Sequence, residues 1–365
     1  MEDRRRIGIM TGGGDCPGMN ALIRAVAKKA IVRHGFDVIG IEDGYEGLIH
    51  DRHRALGFDD VSGIINLGGT ILGTSNTSNP YSYATVRDGR TEFSDVSRLV
   101  LGSIERLRLD CLVCIGGDGS LSVAERLSRE GVPVVGVPKT IDNDLCGTDR
   151  TVGFDTAVSI AAEGIDRVHT TAQSHHRVMI VEVMGRNAGW LALHAGVAGG
   201  GDIILIPEIP YDLNAVADRV RRRSRTGKRF TIVVIAEGAR PVGGDVVVRQ
   251  LVKTSAEPIR LGGISFTVSA QLEELTGLEA RALVMGHLLR GGPPTPFDRV
   301  LATRMGTLAV DMIVDQQLGH MVGLSGDSLV TVPLAEVAGR QRKVPPDHPL
   351  IDSARSVGTS FGDRE

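Results

Sequence analysis

Eight short apolar runs recur along the chain, with stretches of helical length between most of them: RIGIMTG, DVIGIED, DCLVCIGG, VPVVGVP, RVMIVEVMG, DIILIPE, FTIVVIAEG and ARALVMGH. Continuous apolar runs of this length, rich in β-branched residues and bounded by Gly, Pro or Asp, read as strands buried on both faces. The 3.6-residue periodicity between them reads as helix. Strand and helix in alternation predict a parallel, doubly wound α/β fold, here in two Rossmann-like units with mainly parallel sheets. At 365 residues the chain has room for both. No low-complexity linker separates them. The stretch RPVGGDVVVRQLVKTSAEPIRLGG lacks clear periodicity at first and reads as an insertion. The polar, proline-rich tail beyond Val330, with RKVPPDHP, reads as weakly structured.

Global quantities mainly exclude. A formal net charge of −3 offers no basic footprint for nucleic acid. The start, MEDRRRIGIM, enters a strand within a few residues and carries no apolar signal segment. No run of eighteen apolar residues follows, so a soluble cytoplasmic protein without membrane contact is expected. Four cysteines do not make a disulfide framework. Cys111 and Cys114 match C-x-x-C, but an odd separation inside a strand points them to opposite faces, as buried apolar side chains. The 47 glycines, well above the roughly 7% of an average chain, imply many tight turns against ligands or packed backbone.

Three motifs carry chemistry. TGGGDCPGMNALIRA is a strand end, a glycine turn and a helix, an arrangement whose backbone N–H groups and helix terminus cradle phosphate. It is neither dinucleotide fingerprint nor P-loop, because Pro17 stands at the third glycine of the first and no Gly-Lys-Ser/Thr follows for the second. A purely structural turn is its rival. In CIGGDGSLSVAERL the glycines again follow a strand. Here they admit a nucleotide's phosphates, and Asp118 can hold a magnesium ion bridging them. Lipid and NAD kinases share this pattern, so it points to phosphoryl transfer more than to an acceptor. PKTIDNDLCGTDRTVGFDTA gathers Asp142, Asp144, Asp149 and Asp155 after the strand VPVVGV. An alcohol attacking a γ-phosphoryl group needs a base, and Asp142 is the candidate, with Asp144 to orient it or a metal-bound water.

With GGGDCPGMNALIR, DGYEGL, LGGTILGTS, IGGDGS, PKTIDNDLCGTD, SHHRVMIVEVMGRNAGWLAL and VMGHLLRGGPPTPFDRVLATRMG in this order, the chain resembles the 6-phosphofructokinase family from about Ile7 to Val330. The resemblance implies a nucleotide domain over 1–153 plus about 290–342, and a sugar-phosphate domain over 154–289 plus the tail. It implies ATP and fructose 6-phosphate as substrates, Mg2+ as cofactor, and a homotetramer or homodimer with sites shared between subunits. By position, Gly14 matches the amide that helps hold the transferring phosphoryl group. Gly117, Asp118, Gly119 and Ser120 match the nucleotide and metal loop, and Tyr45 an aromatic near the nucleotide. Thr140, Ile141 and Asp142 would surround the 1-hydroxyl, with Met184, Gly185 and Arg186 against the reacting end of the sugar phosphate and Glu237 on its hydroxyls. His287 and Arg290 match the 6-phosphate pocket, while Arg177 and Arg281 match arginines reaching in from a neighbouring subunit.

Three positions complicate the resemblance. Gly119 is of the ATP-using kind, since an aspartate there would occupy and repel the α-phosphate's place. Lys139 is common among pyrophosphate users. Asn76 stands where the family usually has an arginine on the bridging phosphate. Of the family's effector site, Arg24 and Lys28 match basic positions, while Phe58, His169 and Thr226 stand where the bacterial allosteric type has cations. The expected activity is ATP-dependent phosphorylation of fructose 6-phosphate at its 1-hydroxyl. The alternatives are pyrophosphate as donor, another ketose phosphate such as sedoheptulose 7-phosphate as acceptor, or a weakly active sugar-phosphate-binding regulatory subunit. Retention of Asp142, Asp118 and Arg186 argues against the last, because a pure binder needs neither base nor metal.

Overall fold

The structure is a computed structural model that describes residues 4–87, 90–251 and 259–364. Its strands, in chain order, are β1 (Arg6–Thr11), β2 (Asp37–Ile41), β3 (His53–Ala55), β4 (Tyr83–Arg87), β5 (Arg90–Ser94), β6 (Cys111–Gly116), β7 (Val134–Pro138) and β8 (Val178–Val183). They continue with β9 (Ile203–Leu205), β10 (Thr231–Ala236), β11 (Val248–Leu251), β12 (Ile259–Leu261), β13 (Ala280–Val284), β14 (His320–Ser325) and β15 (Ser328–Pro333). All eight apolar runs of the sequence are strands.

Two sheets organise the chain. The larger runs β15-β14-β7-β6-β1-β2-β3 and is parallel from β14 to β2, with antiparallel strands at both edges. The smaller, β13-β8-β10-β9, is parallel throughout. Each is covered on both faces. One face of the large sheet packs against helices Met19–His34 and Pro296–Val314, the other against helices that include Ser97–Leu107 and Asp118–Arg129. A Cβ on Gly306 would stand 2.7 Å from the Cβ of Ala25 and 3.1 Å from the Leu22 carbonyl, so only glycine lets the first two helices approach this closely. The cysteine reading holds: Cys111 lies in one core and Cys114 in the other, on opposite faces of the sheet, and both are free thiols.

The tail is a correction to the sequence reading. Far from weakly structured, it completes β15 and then forms a helix, Pro349–Ser356, with Pro349 in its first turn and the His348 ring nitrogen accepting from the Leu350 N–H at 3.2 Å. Val344, Ile351, Ala354 and Phe361 are buried in the core beneath the small sheet. Main-chain bonds Ile204 N–H to Ser360 O (2.9 Å) and Asp212 N–H to Gly362 O (2.7 Å) fasten the end of the chain. Its apolar residues are too few to show a period, and burial depends on a surface formed elsewhere. The aperiodic stretch before β13 contributes the antiparallel pair β11–β12, whose connection at 252–258 lies outside the described residues.

Replacing Phe361 by Ala should therefore destabilise the whole molecule by about 3 to 5 kcal/mol, as a large buried aromatic leaves a cavity. A clear drop in the urea midpoint of Phe361→Ala checks this, since a loose tail would leave the midpoint unchanged.

Candidate active site

Six loops leave the C-terminal ends of parallel strands and meet between the sheets. From the large sheet come the glycine turn after β1, the Gly117–Asp118 turn after β6 and the TIDND loop after β7. From the small sheet come Met184–Arg186 after β8, Glu237 after β10 and His287–Arg290 after β13. In a parallel sheet the strand ends carry free backbone groups and helix N-termini on one side, which is where ligands bind.

The loops line two adjoining clefts. One, of about 300 Å3, is bordered by Gly13, Tyr45, Gly117–Ser120, Lys139, Thr140 and Asp144, and the other, of about 520 Å3, by Met184, Glu237 and His287. Gly14, Asn76, Asp142, Arg186 and Arg290 border both. Where the clefts join, a phosphorylated group in one would face a hydroxyl in the other across a carboxylate and two guanidinium groups.

The glycine turn is shaped from beneath. Lys139 is only 2% exposed, and its ammonium donates to the carbonyls of Gly12 at 2.8 Å and Gly14 at 2.6 Å. Burial, followed by the nearby Arg290 charge, lowers its pKa against the raising influence of Cys16. Lys139 borders the first cleft, yet two of its three donors hold the turn rather than a ligand. Tyr45 behaves similarly, being buried with its hydroxyl donating to the Ser120 carbonyl at 2.9 Å. Gly14 lies beside Arg290, whose Nη1 donates to the Asp15 carbonyl at 3.0 Å and would be 2.7 Å from a Cβ on Gly14. A Cβ on Gly119, by contrast, would meet nothing within 4 Å.

The TIDND loop is held by its own side chains. Asn143 is buried at φ 52°, a left-handed conformation that asparagine tolerates better than most residues. Its Nδ2 donates to the Asp149 carbonyl at 3.1 Å and its Oδ1 accepts from the Thr151 N–H at 3.0 Å. The Asp142 N–H donates to Thr140 Oγ1 at 3.1 Å. Ile141 is buried beneath the loop rather than facing either cleft.

At the second cleft, Glu237 has its pKa raised to about 7, first by burial, then by the charges of Asp142 and Glu182, with Arg290 and Arg186 opposing. Gly185 turns the chain at φ 134°, a conformation open only to glycine. Glu182, within an apolar strand, accepts from the N–H groups of Gly263 (2.8 Å) and Ser265 (2.9 Å) and from the Ser265 hydroxyl (2.6 Å), capping helix Ile264–Thr276. Neither Glu182 nor Arg249, on β11, is singled out by the sequence motifs, yet both border the second cleft. Glu182 is legible as a lone charge in an apolar run, whereas Arg249 sits in the aperiodic stretch.

Two expected residues stand apart. Arg177 and Arg281 lie at the other end of β8 and β13, paired with Glu279, the Arg177 Nε at 2.8 Å. Neither borders either of the two clefts. Of the basic positions thought to match an effector site, Lys28 stands over the Phe58 ring at 3.7 Å and donates to Ser62 Oγ at 3.0 Å. No helix among the described residues is long and apolar enough to cross a membrane.

A sequence model of the phosphofructokinase family matches residues 6–313. An ATP-dependent 6-phosphofructokinase 2 of Clostridium perfringens is 49% identical over 365 residues, covering 100% of both chains. A pyrophosphate–fructose 6-phosphate 1-phosphotransferase of Amycolatopsis methanolica is 48% identical, covering 94% of this chain and 97% of that one. Among solved structures, the phosphofructokinase of Pichia pastoris in its T-state superposes with a TM-score of 0.78 at 33% identity, over 92% of this chain and 36% of that longer one.

The position of Glu237 has a measurable consequence. Its folded pKa of about 7 exceeds the 4.5 of an exposed glutamate, so folding retains a proton and this residue's contribution to stability is lost as pH rises toward 7. Glu237→Gln, neutral at every pH, should raise the melting temperature of the ligand-free protein at pH 8 and leave it nearly unchanged at pH 5. Thermal melts across that range read the difference directly.

Proposed function

Because the chain belongs to the phosphofructokinase family, we propose that it transfers the γ-phosphoryl group of ATP to the 1-hydroxyl of fructose 6-phosphate, giving fructose 1,6-bisphosphate and ADP. The observation that carries this reading is the junction of the two clefts, where Asp142 stands with Arg186 and Arg290. The first cleft would take the nucleotide, between the glycine turn and the Gly117–Asp118 turn, and the second the sugar phosphate. On this reading the large-sheet unit binds nucleotide and the small-sheet unit binds sugar.

In the reaction the Asp142 carboxylate accepts the proton of the 1-hydroxyl as its oxygen bonds to the γ-phosphorus. The bond from phosphorus to the bridging oxygen breaks, and the electron pair leaves with ADP. Arg186 faces both clefts and offsets charge on the transferring group, with the Gly14 amide as a further donor. Thr140 borders the hydroxyl's path, and Met184 and Gly185 shape the sugar's reacting end. Glu237 takes sugar hydroxyls, while His287 and Arg290 hold the 6-phosphate. Arg177 and Arg281, directed away from their own cleft, would complete the 6-phosphate pocket of a second copy. We therefore read the active form as a homo-oligomer, a tetramer or dimer, working in the cytoplasm.

Mg2+ fits the donor set. Among the described residues no three metal-ligating side chains cluster, and a magnesium ion on nucleotide phosphates needs only one or two carboxylates, which Asp118 and Asp144 supply at the cleft wall. When bound, the ion neutralises charge on the β- and γ-phosphates.

Two observations bear on the donor. Open space around Gly119 leaves room for an α-phosphate, which favours ATP. The Lys139 ammonium, the feature shared with pyrophosphate users, has its main bonds to Gly12 and Gly14.

Two substitutions test this reading. Asp142→Asn should lower kcat by ~10² or more while fructose 6-phosphate still binds, because shape is kept and proton acceptance lost. A coupled assay beside isothermal titration of the sugar phosphate measures both, and near-normal turnover would remove Asp142 from its role. Gly119→Asp should fold as the parent does, since its side chain enters empty space, and yet lose ~10² or more in kcat/KM for ATP, as an uncompensated like charge costs several kcal/mol. A parent enzyme that turned over faster with pyrophosphate than with ATP would overturn the donor assignment.

A further inference from the structure

We propose that the segment 339–344 is a working part of the active site, a strap that locks the TIDND loop and the Gly117–Asp118 turn in mutual register, with Arg342 as the positioning residue for Asp142. It rests on the reading of Asp142 as base and concerns how that base is held.

The strap touches both loops in sequence. Gly339 N–H donates to Asp118 Oδ1 at 3.1 Å and to Ser122 Oγ at 3.0 Å, at the first turn of the helix behind the nucleotide cleft. Gln341 pairs with Leu145 as an antiparallel bridge and borders the nucleotide cleft. Arg342 N–H donates to the Asp144 carbonyl at 2.7 Å. The Arg342 guanidinium then reaches back, with Nε (3.3 Å) and Nη2 (3.1 Å) on the Asn143 carbonyl and Nη2 also 3.1 Å from the Asp149 carbonyl.

The Asn143 carbonyl is the consequential contact. Asn143 directly follows Asp142 and holds a left-handed φ of 52°, a conformation asparagine tolerates but one that contacts around it must select over the commoner right-handed and extended ones. The Asn143 side chain does part of this through Asp149 and Thr151. Arg342 does the rest from outside, joining the carbonyls of Asn143 and Asp149 so that both ends of the turn close on one planar fork.

Arg342 is itself anchored from the other unit. Its guanidinium lies over the Trp190 ring at 4.4 Å, and its carbonyl accepts from Trp190 Nε1 at 2.8 Å. Two residues on, Val344 N–H donates to Glu208 Oε1 at 2.9 Å. Trp190 opens the helix that follows the Met184–Arg186 turn, so the strap links the base's loop to the helix behind the sugar-phosphate turn. A displacement of about 1 Å at a reacting group can cost ~10² in rate, which sets the scale of what such a strap protects.

The far side of Arg342 faces a solvent-accessible cleft of about 470 Å3 between Trp190, His194 and Arg304, and this makes the proposal testable by chemical rescue. Arg342→Ala should lower kcat ~10-fold or more, with KM for fructose 6-phosphate within about threefold of the parent, because a misplaced base impairs transfer more than binding. Millimolar guanidinium or ethylguanidinium chloride, entering that cleft, should restore a substantial part of kcat, while equal potassium chloride should not. Arg342→Lys keeps charge and stem but cannot span both carbonyls, and should fall between parent and Ala variant. It also serves as the test variant should Arg342→Ala fail to fold. Turnover within threefold of the parent in the folded variants, or a loss that guanidinium does not recover better than potassium, overturns the proposal. Asp142→Asn assayed alongside separates the two readings: if it retains turnover the base assignment fails, and if it is inactive while Arg342→Ala is unimpaired only the strap fails.

Discussion

The buried ammonium of Lys139 fixes the geometry on which the site depends. Taking a cation out of water costs several kcal/mol unless it is well solvated by the protein, and here the carbonyls of Gly12 and Gly14 replace water. Because Lys139 follows β7 and the two glycines follow β1, with β6 between them, one cation ties the ends of two strands together across a third. The turn is held through its N–H groups as well, with Gly12 donating to the Ile115 carbonyl at 2.9 Å and Gly13 to the Ser75 carbonyl at 3.0 Å. A residue that looks like a ligand contact in the sequence thus works first as an internal cross-brace.

Buried carboxylates extend the same logic to the helices. Asp298, completely buried on helix Pro296–Val314, accepts from the N–H groups of Gly153 (3.1 Å) and Thr156 (2.9 Å) and from the Thr156 hydroxyl (2.5 Å), at the start of helix Phe154–His175. Burial pushes its pKa up to about 6, and the three donors oppose that shift. Glu182 caps another helix in the same manner, and Glu208 accepts from the Gly189 N–H at 3.0 Å while also holding the strap through Val344. In each case a charge on one element satisfies the orphan N–H groups of a helix start on another. These bonds run between segments distant in sequence, so the loops around the clefts have defined positions relative to one another.

Much of this was legible beforehand for a simple reason. Strands buried on both faces must be apolar throughout, so the eight runs announced themselves, and the two-residue period of a strand sent Cys111 and Cys114 to opposite cores. Glycine turns at strand ends and the carboxylate-rich TIDND loop were visible because their chemistry is local. The tail was misread because its few apolar residues, Val344, Ile351, Ala354 and Phe361, gain meaning only against the small sheet's helices. Arg249 escaped notice because its strand lies in the stretch without clear periodicity, which read as an insertion.

What the sequence by itself determined is the set of local conformations and the inventory of chemical groups: alternating strands and helices, glycines where the backbone must turn, and carboxylates and arginines in a specific order. These follow from periodicity and steric permission, which act over a few residues. Only the tertiary structure decided which groups face the clefts and which are consumed in holding them. It turned Lys139 and Tyr45 inward, set Arg177 and Arg281 at the opposite end of their strands, raised the pKa of Glu237 to about 7 through burial beside Asp142, and laid the tail along the TIDND loop. Burial, proximity of charges and long-range hydrogen bonds depend on distances between residues tens to hundreds of positions apart, and those distances exist only once the sheets have formed.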